Sequence, residues 1–252
     1  MPIDLDAKSL ARFLERNAPV MAFTGAGVST ASGLPDFRSP GGLWERLDPM
    51  VDGHVDMLTR DPARVWQCWA EPLVGADIQP NPAHAALARL EAGGLLSGIV
   101  TQNIDGLHHA AGSEAVEVHG HLRTAACISC GAEEAMATAL ARYAETRLAP
   151  GCVICGGTLR PQVVLFGEAL PPDAFASAAA LTQTSSGCLC VGTSLQVYPA
   201  AGLPEAFARS GRPLAIVSQQ PTELWAHADP RLLRAAEALL PPVASILLGE
   251  PP

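Results

Sequence analysis

"VMAFTGAGVSTASGLPDFR", Val20 to Arg38, is the stretch from which the fold can be read. Its first four residues, Val20-Met21-Ala22-Phe23, make a short buried strand that runs into Gly25-Ala26-Gly27. A strand ending at such a turn lets backbone approach a phosphate, with amide groups and the start of a following helix presented to the anion. A tight turn capped by Ser29 accounts for the same letters equally well. The dinucleotide fingerprint wants a third glycine or alanine where Thr30 stands, and no acidic residue follows at the usual distance at the end of a second strand. An ordinary dehydrogenase site is therefore disfavoured. Asp36-Phe37-Arg38 tips the balance toward a ligand, because an aromatic between opposite charges is an odd choice for a mere turn.

Working outward, Leu5, Leu10, Phe13 and Leu14 recur at helical spacing before Asn17, so a helix precedes the strand. Ala85 to Leu90 reads as another helix, stopped by Gly93-Gly94. Ile99-Val100-Thr101, Val116-Glu117-Val118, Val163 to Phe166, Cys188 to Val191 and Leu214 to Val217 read as further strands, with alanine-rich helical stretches between the later ones. Strands alternating with helices predict an α/β fold with a Rossmann-type, doubly wound parallel sheet. Residues 46–83, with a helix near Arg64 to Glu71, and residues 123–159 break the alternation. They are expected to form a smaller inserted helical and zinc-binding domain, leaving 1–45, 84–122 and 160–252 as the nucleotide-binding domain. The Pro-Pro pairs at 171–172, 241–242 and 251–252 read as element breaks or tail.

The chain of 252 residues is 48% hydrophobic, ample for a conventional core. A formal charge of −9 disfavours adhesion to nucleic acid or anionic lipid. The first residues, Met1-Pro2-Ile3-Asp4-Leu5-Asp6, lack a basic and then apolar leader, and no segment reaches the length of a membrane span, so the expected location is the cytoplasm. In that reducing compartment paired cysteine spacing points to metal. Cys127-Ile-Ser-Cys130 and Cys152-Val-Ile-Cys155, with 21 residues between them, supply four soft ligands for a closed tetrahedral Zn2+ site. Four protein ligands leave no position for water, so the zinc is expected to be structural. Cys68, Cys188 and Cys190 fit no such pattern and read as core or surface thiols.

Polar residues gather where the strands end. Gln102, Asn103 and Asp105 follow one strand, His119 and Gly120 another, and Gly192-Thr193-Ser194 a third. Open α/β sheets bind ligands outside the carboxyl ends of their strands, so four strand ends converge on one nucleotide-sized site. By itself a lone histidine such as His119 is more often structural than a general base.

Taken together, Gly25 to Ser29, Ser32 to Arg38, Thr101 to Asp105, Val118-His119-Gly120, the cysteine pairs and Gly192 to Leu195 resemble the sirtuins of bacterial type, NAD-dependent protein-lysine deacylases. The likeness runs in order through nearly the whole chain. It implies that NAD and an acyl-lysine protein or peptide meet in a cleft between the two domains. It also implies that Ala26, Phe37, Ile104 and Asp105 position nicotinamide, and that Arg38, Gln102 and Asn103 orient the sugar and phosphates. Gly25, Gly27, Ser29, Asp36, Thr193, Ser194 and Ser218 complete the nucleotide contacts, Ser218 standing where many sirtuins have asparagine. His119 would be the general base, with Asn103 and Gln102 beside it. On the substrate side, the resemblance makes Val164 an acceptor for the acyl-lysine amide and Phe166 a surface for its methylenes. Gly167 and Val197 would flank the peptide, which adds as a strand between 163–168 and 195–198.

Sirtuins that prefer succinyl or malonyl groups carry a tyrosine and an arginine three residues apart on the small-domain helix. Counting from Asp61-Pro62, this chain has Trp69 and Pro72 there, so an acidic acyl group lacks an ion-pair partner. Val65, Trp66 and Trp69 either line a pocket for acetyl or a longer aliphatic chain or pack in the core. Two other functions fit the same residues: NAD-dependent mono-ADP-ribosyl transfer to a protein, and a non-catalytic nucleotide-binding interaction module. The sequence is compatible with a monomer and sets no oligomeric state.

Overall fold

The computed structural model describes residues 2–249 apart from 37–41, 43, 44, 46, 49 and 75. Its first half contains α1 (Ile3–Asn17), β1 (Val20–Thr24), α2 (Met57–Arg60), α3 (Pro62–Trp69), α4 (Pro82–Ala92), β2 (Leu96–Thr101), α5 (Leu107–Ala110), β3 (Val116–Glu117) and β4 (Gly120–Cys127). Then follow β5 (Glu133–Ala135), α6 (Met136–Thr146), β6 (Leu159–Val163), α7 (Pro172–Thr184), β7 (Cys188–Val191), α8 (Gly202–Arg209), β8 (Leu214–Ser218), β9 (Arg231–Leu233) and α9 (Ala236–Leu248).

Six strands form a parallel sheet in the order β3-β2-β1-β7-β8-β9. Alternation along each strand builds a core on both faces. Val20 and Ala22 of β1, with Leu189, Val191, Ala215 and Val217, pack against α1, α4 and α9. Met21 and Phe23, with Cys188, Cys190, Leu214 and Ile216, face the side that holds Leu203 and Phe207 of α8. Cys68, Cys188 and Cys190 are all buried thiols. Strand order reverses direction between β1 and β7, and a crevice opens there at the carboxyl ends.

Two sequence expectations change, and one strand was not anticipated. Val163–Phe166 is not a strand of the parallel sheet: β6 stops at Val163 and belongs to a separate antiparallel sheet, β5-β4-β6. Val164 makes the last bond of that ladder, donating its N–H to the carbonyl of His119, and the chain then leaves it as Phe166 bonds to Gly53 and Val55. Pro241-Pro242 lies inside α9 instead of breaking it. An interior proline costs a helix about 3 kcal/mol, and here Leu239, Leu240, Val243 and Ala244 offset it by burying their side chains with residues of α1 and α4. The sixth strand, β9, went unread because only Leu232 of its three residues is buried, too short a signal for periodicity.

The antiparallel sheet, α3 and α6 enclose their own core around Trp66 and Tyr143, whose rings stack at 5.7 Å. Trp66 donates its indole N–H to the carbonyl of Leu159 at 2.8 Å.

Candidate active site

A cavity of about 610 Å³ opens along the strand ends and is closed on its far side by α3 and by the segment after β6. Gly25, Ala26, Gly27, Ser29, Asp36, Gln102, Asn103, Ile104, Asp105, His119, Gly192, Thr193, Ser194 and Ser218 line it, and so do Trp69, Val164, Phe166, Gly167 and Val197. Phe37 and Arg38 lie outside the described residues, as does the side chain of Pro72.

The glycines after β1 are required by packing. A Cβ on Gly25 would lie 2.8 Å from that of Thr193, and one on Gly27 would lie 2.8 Å from the carbonyl oxygen of Gly192. The loops after β1 and β7 therefore touch backbone to backbone. Their amides are largely spent on this contact and on local turns: Gly25 donates to Val191, Gly27 to Gly192, Val28 to Gly25 and Ser29 to Ala26. Two short 3-10 turns, Ala26–Val28 and Thr30–Ser32, replace the expected helix start. The expectation of a row of amides presented to an anion is corrected accordingly.

Beneath the loop lies a polar network with a definite direction. Asn81 caps α4 through Ala83 and donates its side-chain amide to Val28 and Ser32, anchoring the loop. Its backbone N–H donates to His84 Nδ1 at 3.3 Å, so the proton of neutral His84 sits on Nε2, 3.4 Å from Ser29 Oγ. Ser29 in turn donates to Asp105 Oδ2 at 2.7 Å, and Asp105 Oδ1 accepts from Leu107 N–H at 2.9 Å. Asn103 uses its Nδ2 on Gly25 O at 3.2 Å and Ser29 Oγ at 3.1 Å, which leaves Oδ1 as the atom it can offer a ligand. Gln102 donates to Thr193 Oγ1 at 2.7 Å, joining the ends of β2 and β7.

His119 is held at one ring nitrogen: Nδ1 lies 3.1 Å from the carbonyl of Gln102. A carbonyl only accepts, so Nδ1 carries the proton and Nε2 keeps its lone pair. Burial pushes the pKa of His119 below the ordinary histidine value, against the pull of the Gln102 carbonyl, so the ring is neutral and basic near pH 7. This is the form a general base requires.

The wall opposite combines apolar side chains with a locked acid. Cys68, Trp69, Leu73, Leu122, Val163 and Leu165 meet at the end of the cavity formed by α3 and β6. Val65 and Trp66 are turned into cores behind this wall, so of the three apolar residues read on the α3 face only Trp69 lines the cavity. Burial would raise the pKa of Glu168, but Arg160, paired with both its oxygens, and the Leu165 N–H hold it low. The 163–168 stretch is not an open edge throughout: Phe166 donates to Gly53 and accepts from Val55. Gly167 has φ 89°, and a Cβ there would meet His54 Nε2 at 2.6 Å. Val197 gives its carbonyl to the Ala201 N–H.

In the smaller lobe the Sγ atoms of Cys127, Cys130, Cys152 and Cys155 lie within 4.8 Å of one another. Cys127–Cys155 and Cys130–Cys152 are separated by 3.5 and 3.8 Å, close to the roughly 3.8 Å edge of a tetrahedron with Zn–S bonds of about 2.3 Å. Backbone N–H groups of Ser129, Ile154 and Gly157 each donate to a sulfur at 3.4 Å, an arrangement that favours thiolate. The donor set fits Zn2+.

The Sir2 family profile matches residues 25–199. NAD-dependent protein deacetylase 1 of Pyrobaculum aerophilum is 41% identical over 254 residues, 99% of each chain. The chain belongs to the Sir2 family. NAD-dependent protein deacylase 2 of Pyrobaculum aerophilum is similar to this Sir2 chain as well, 40% identical over 92% of both. A solved structure of a Sir2 variant with deacetylated p53 peptide and 3′-O-acetyl ADP ribose is 32% identical with a TM-score of 0.88, covering 95% of this chain and 97% of that one.

Several residues of this Sir2 site escape a reading of strand-end motifs. Gln219 to Thr222 and Arg234 line the cavity beyond β8, with Arg234 fixed by an ion pair from Nε to Asp6 Oδ2 at 2.7 Å. The place of Gln219 to Thr222 directly after β8 was a usable signal, since ligands sit outside strand ends, whereas Arg234 follows β9, the strand that went unread. Asn81 before Pro82 is a helix-start signal that gives no hint of the loop it anchors. Cys68, Leu73 and Leu122 come together only through the packing of α3 on β4 and β6.

Proposed function

We propose that this protein is an NAD-dependent protein-lysine deacylase that passes the acyl group to ADP-ribose and releases nicotinamide. The observation that carries the reading is His119 with its proton tied to Gln102 and Nε2 left as a base, beside the network that holds Asn103 and Asp105. From β3 to β8 the cavity spans four inter-strand steps of about 4.8 Å, roughly 19 Å, which suits an extended dinucleotide. When bound, NAD supplies a ribose carbon made electrophilic by its cationic leaving group, and a hydroxyl to receive the acyl group.

His119 Nε2 takes the proton of that hydroxyl, and the Gln102 carbonyl steadies the imidazolium this creates. Asn103 and Gln102 orient the sugar, the former through its remaining Oδ1. Asp105, held by Ser29 and Leu107, supports the nicotinamide end with Ala26 and Ile104. Gly25, Gly27, Thr193, Ser194 and Ser218 shape the diphosphate and adenosine end. Closing the wall of Trp69 and Phe166 excludes water from the reacting atoms. Val164, Gly167 and Val197 flank the acyl-lysine segment. The separate cores support a division into an NAD lobe, expected at 1–45, 84–122 and 160–252, and a closing lobe, expected at 46–83 with 123–159, with the boundaries moved so that all of β4 and β6 falls in the closing lobe. Among the described residues no helix is long and apolar enough to cross a membrane, and we place the protein in the cytoplasm, where thiolates for zinc stay reduced.

A panel of acetyl, butyryl, myristoyl and succinyl lysine peptides with NAD, run beside His119→Ala, tests this. The variant should lose about 10²–10⁴-fold in turnover, and succinyl should be the poorest substrate because the acyl end is apolar. Full activity of His119→Ala, or peptide that gains ADP-ribose instead of losing its acyl group, would sink the proposal.

A further inference from the structure

Behind the cavity wall runs a second buried chain of polar groups whose direction follows from its ends. Thr24 and Thr101 are the last residues of β1 and β2 and stand opposite each other in the ladder. Thr24 Oγ1 donates to Thr101 Oγ1 at 2.8 Å, and His108 Nε2 lies 2.9 Å from Thr24 Oγ1. Thr24 has only one hydroxyl proton and gives it to Thr101, so the contact with His108 forms when Nε2 carries the imidazole proton and donates. Thr101 Oγ1 also accepts the backbone N–H of Asn103 at 3.1 Å. Past the end of β2 that N–H has left the strand ladder, and the Thr101 hydroxyl takes the ladder's place.

His108 is 2% exposed, and it is absent from the cavity lining. Its other ring nitrogen, Nδ1, is buried without a hydrogen-bond partner among the described groups. An apolar side chain would avoid that cost, so what the histidine gains in this place is the single bond to Thr24. Burial, and then the neighbouring His84 and His109, push its pKa down to about 3, which keeps it a neutral donor at Nε2.

We propose that His108 is a positioning residue for the Sir2 reaction: its Nε2–H fixes the Thr24 and Thr101 hydroxyls, and through them the backbone of Asn103, so that the Asn103 amide is held in the cavity wall. The proposal rests on the reading of Asn103 as part of the catalytic site. Asn103 is then anchored from three sides, by Thr101 at its backbone and by Gly25 and Ser29 at its side chain.

The test is steady-state deacetylation by the full-length, zinc-loaded protein of an acetyl-lysine peptide with NAD. The variants are His108→Phe, His108→Gln, Thr24→Val, His108→Phe with Thr24→Val, and Asn103→Ala. Misplacing a site group by a fraction of an ångström should lower kcat about tenfold in His108→Phe, with KM for the peptide changed less than about twofold. Thr24→Val should do the same, and the double variant should be no worse than either single one, because both cut the same chain. His108→Gln, whose amide Nε2 can donate to Thr24, should recover to within about threefold of the parent. If His108→Phe does not fold, Thr24→Val and His108→Gln decide between the same outcomes. Losses that multiply in the double variant, a kcat unchanged in His108→Phe or Thr24→Val, or a glutamine variant as poor as the phenylalanine one would overturn the relay. An Asn103→Ala protein with full kcat would overturn the underlying assignment of Asn103 instead, whatever His108→Phe does.

Discussion

The loop after β1 and the cysteine turns of the smaller lobe both hold irregular backbone in place, but by different means. The first is clamped by contact and hydrogen bonds: Gly25 and Gly27 press on Gly192-Thr193, and Asn81, Ser29 and Asn103 satisfy the polar groups beneath. The second has little to press on. Val153 and Ile154 are 77% and 75% exposed, and the four sulfurs are the main feature that converges there. A region that must present a ligand site in one geometry is built from close backbone packing, whereas a region that must only stay folded can delegate the task to a metal.

Removing zinc should have the largest effect. Structural zinc contributes on the order of 10 kcal/mol to the folding of small sites, so a chelator, or Cys130→Ser, should abolish amide exchange protection in β4, β5 and β6. Protection in β1 and β7 should persist, because their cores contain none of the cysteine ligands. If both regions lose protection together, the two are one cooperative unit and the contrast fails.

Next in size is Gly192→Ala. Gly192 has φ 60°, and its Cβ would lie 2.5 Å from the carbonyl carbon of Gly27 and closer still to the amide nitrogen of Val28. Left-handed strain and overpacking together should cost about 3 kcal/mol and weaken NAD binding by separating the two loops. Gly211 is the control, since it shares a left-handed φ of 68° with open space around its Cβ position. Gly211→Ala should show only the strain, about 1 kcal/mol, with NAD binding intact. Equal losses at the two positions would mean that loop contact contributes nothing.

These contacts also mark how far the sequence could be read. The parallel sheet was legible because runs such as Val20–Phe23 and Cys188–Val191 are apolar on both faces, and the zinc site because C-x-x-C spacing is a local signal. Strand-end position brought Gln102, Asn103 and His119 to one cavity. The partners of those groups were not legible. That Gly27 faces Gly192, that Glu168 is locked by Arg160, and that Val65 and Trp66 turn away from the cavity while Cys68 and Leu73 enter it all depend on packing between elements distant in the chain. The Val163–Phe166 run looked like one strand because residue type alone does not tell where a ladder ends.

A smaller effect than that of Gly192→Ala is expected when acid is set against the clamp and the metal is left aside. His108, facing Thr24, His84 in an edge contact at 5.0 Å between ring centroids, and His109, has its pKa pushed down to about 3 in the folded protein. A free histidine titrates near 6.5. The unfolded chain therefore binds more protons than the folded one between these values, so the stability due to neutral His108 is complete above about pH 6.5 and is lost progressively as pH falls. At pH 5 the loss from this one residue should be about 2 kcal/mol. Urea unfolding of the parent and of His108→Gln at pH 7.5 and pH 5 isolates it, because the zinc thiolates respond to acid alike in both proteins. The glutamine variant should lose less stability on acidification by about that amount; equal losses would show that His108 is charged or exposed before the clamp opens, and that acid acts on the zinc lobe first.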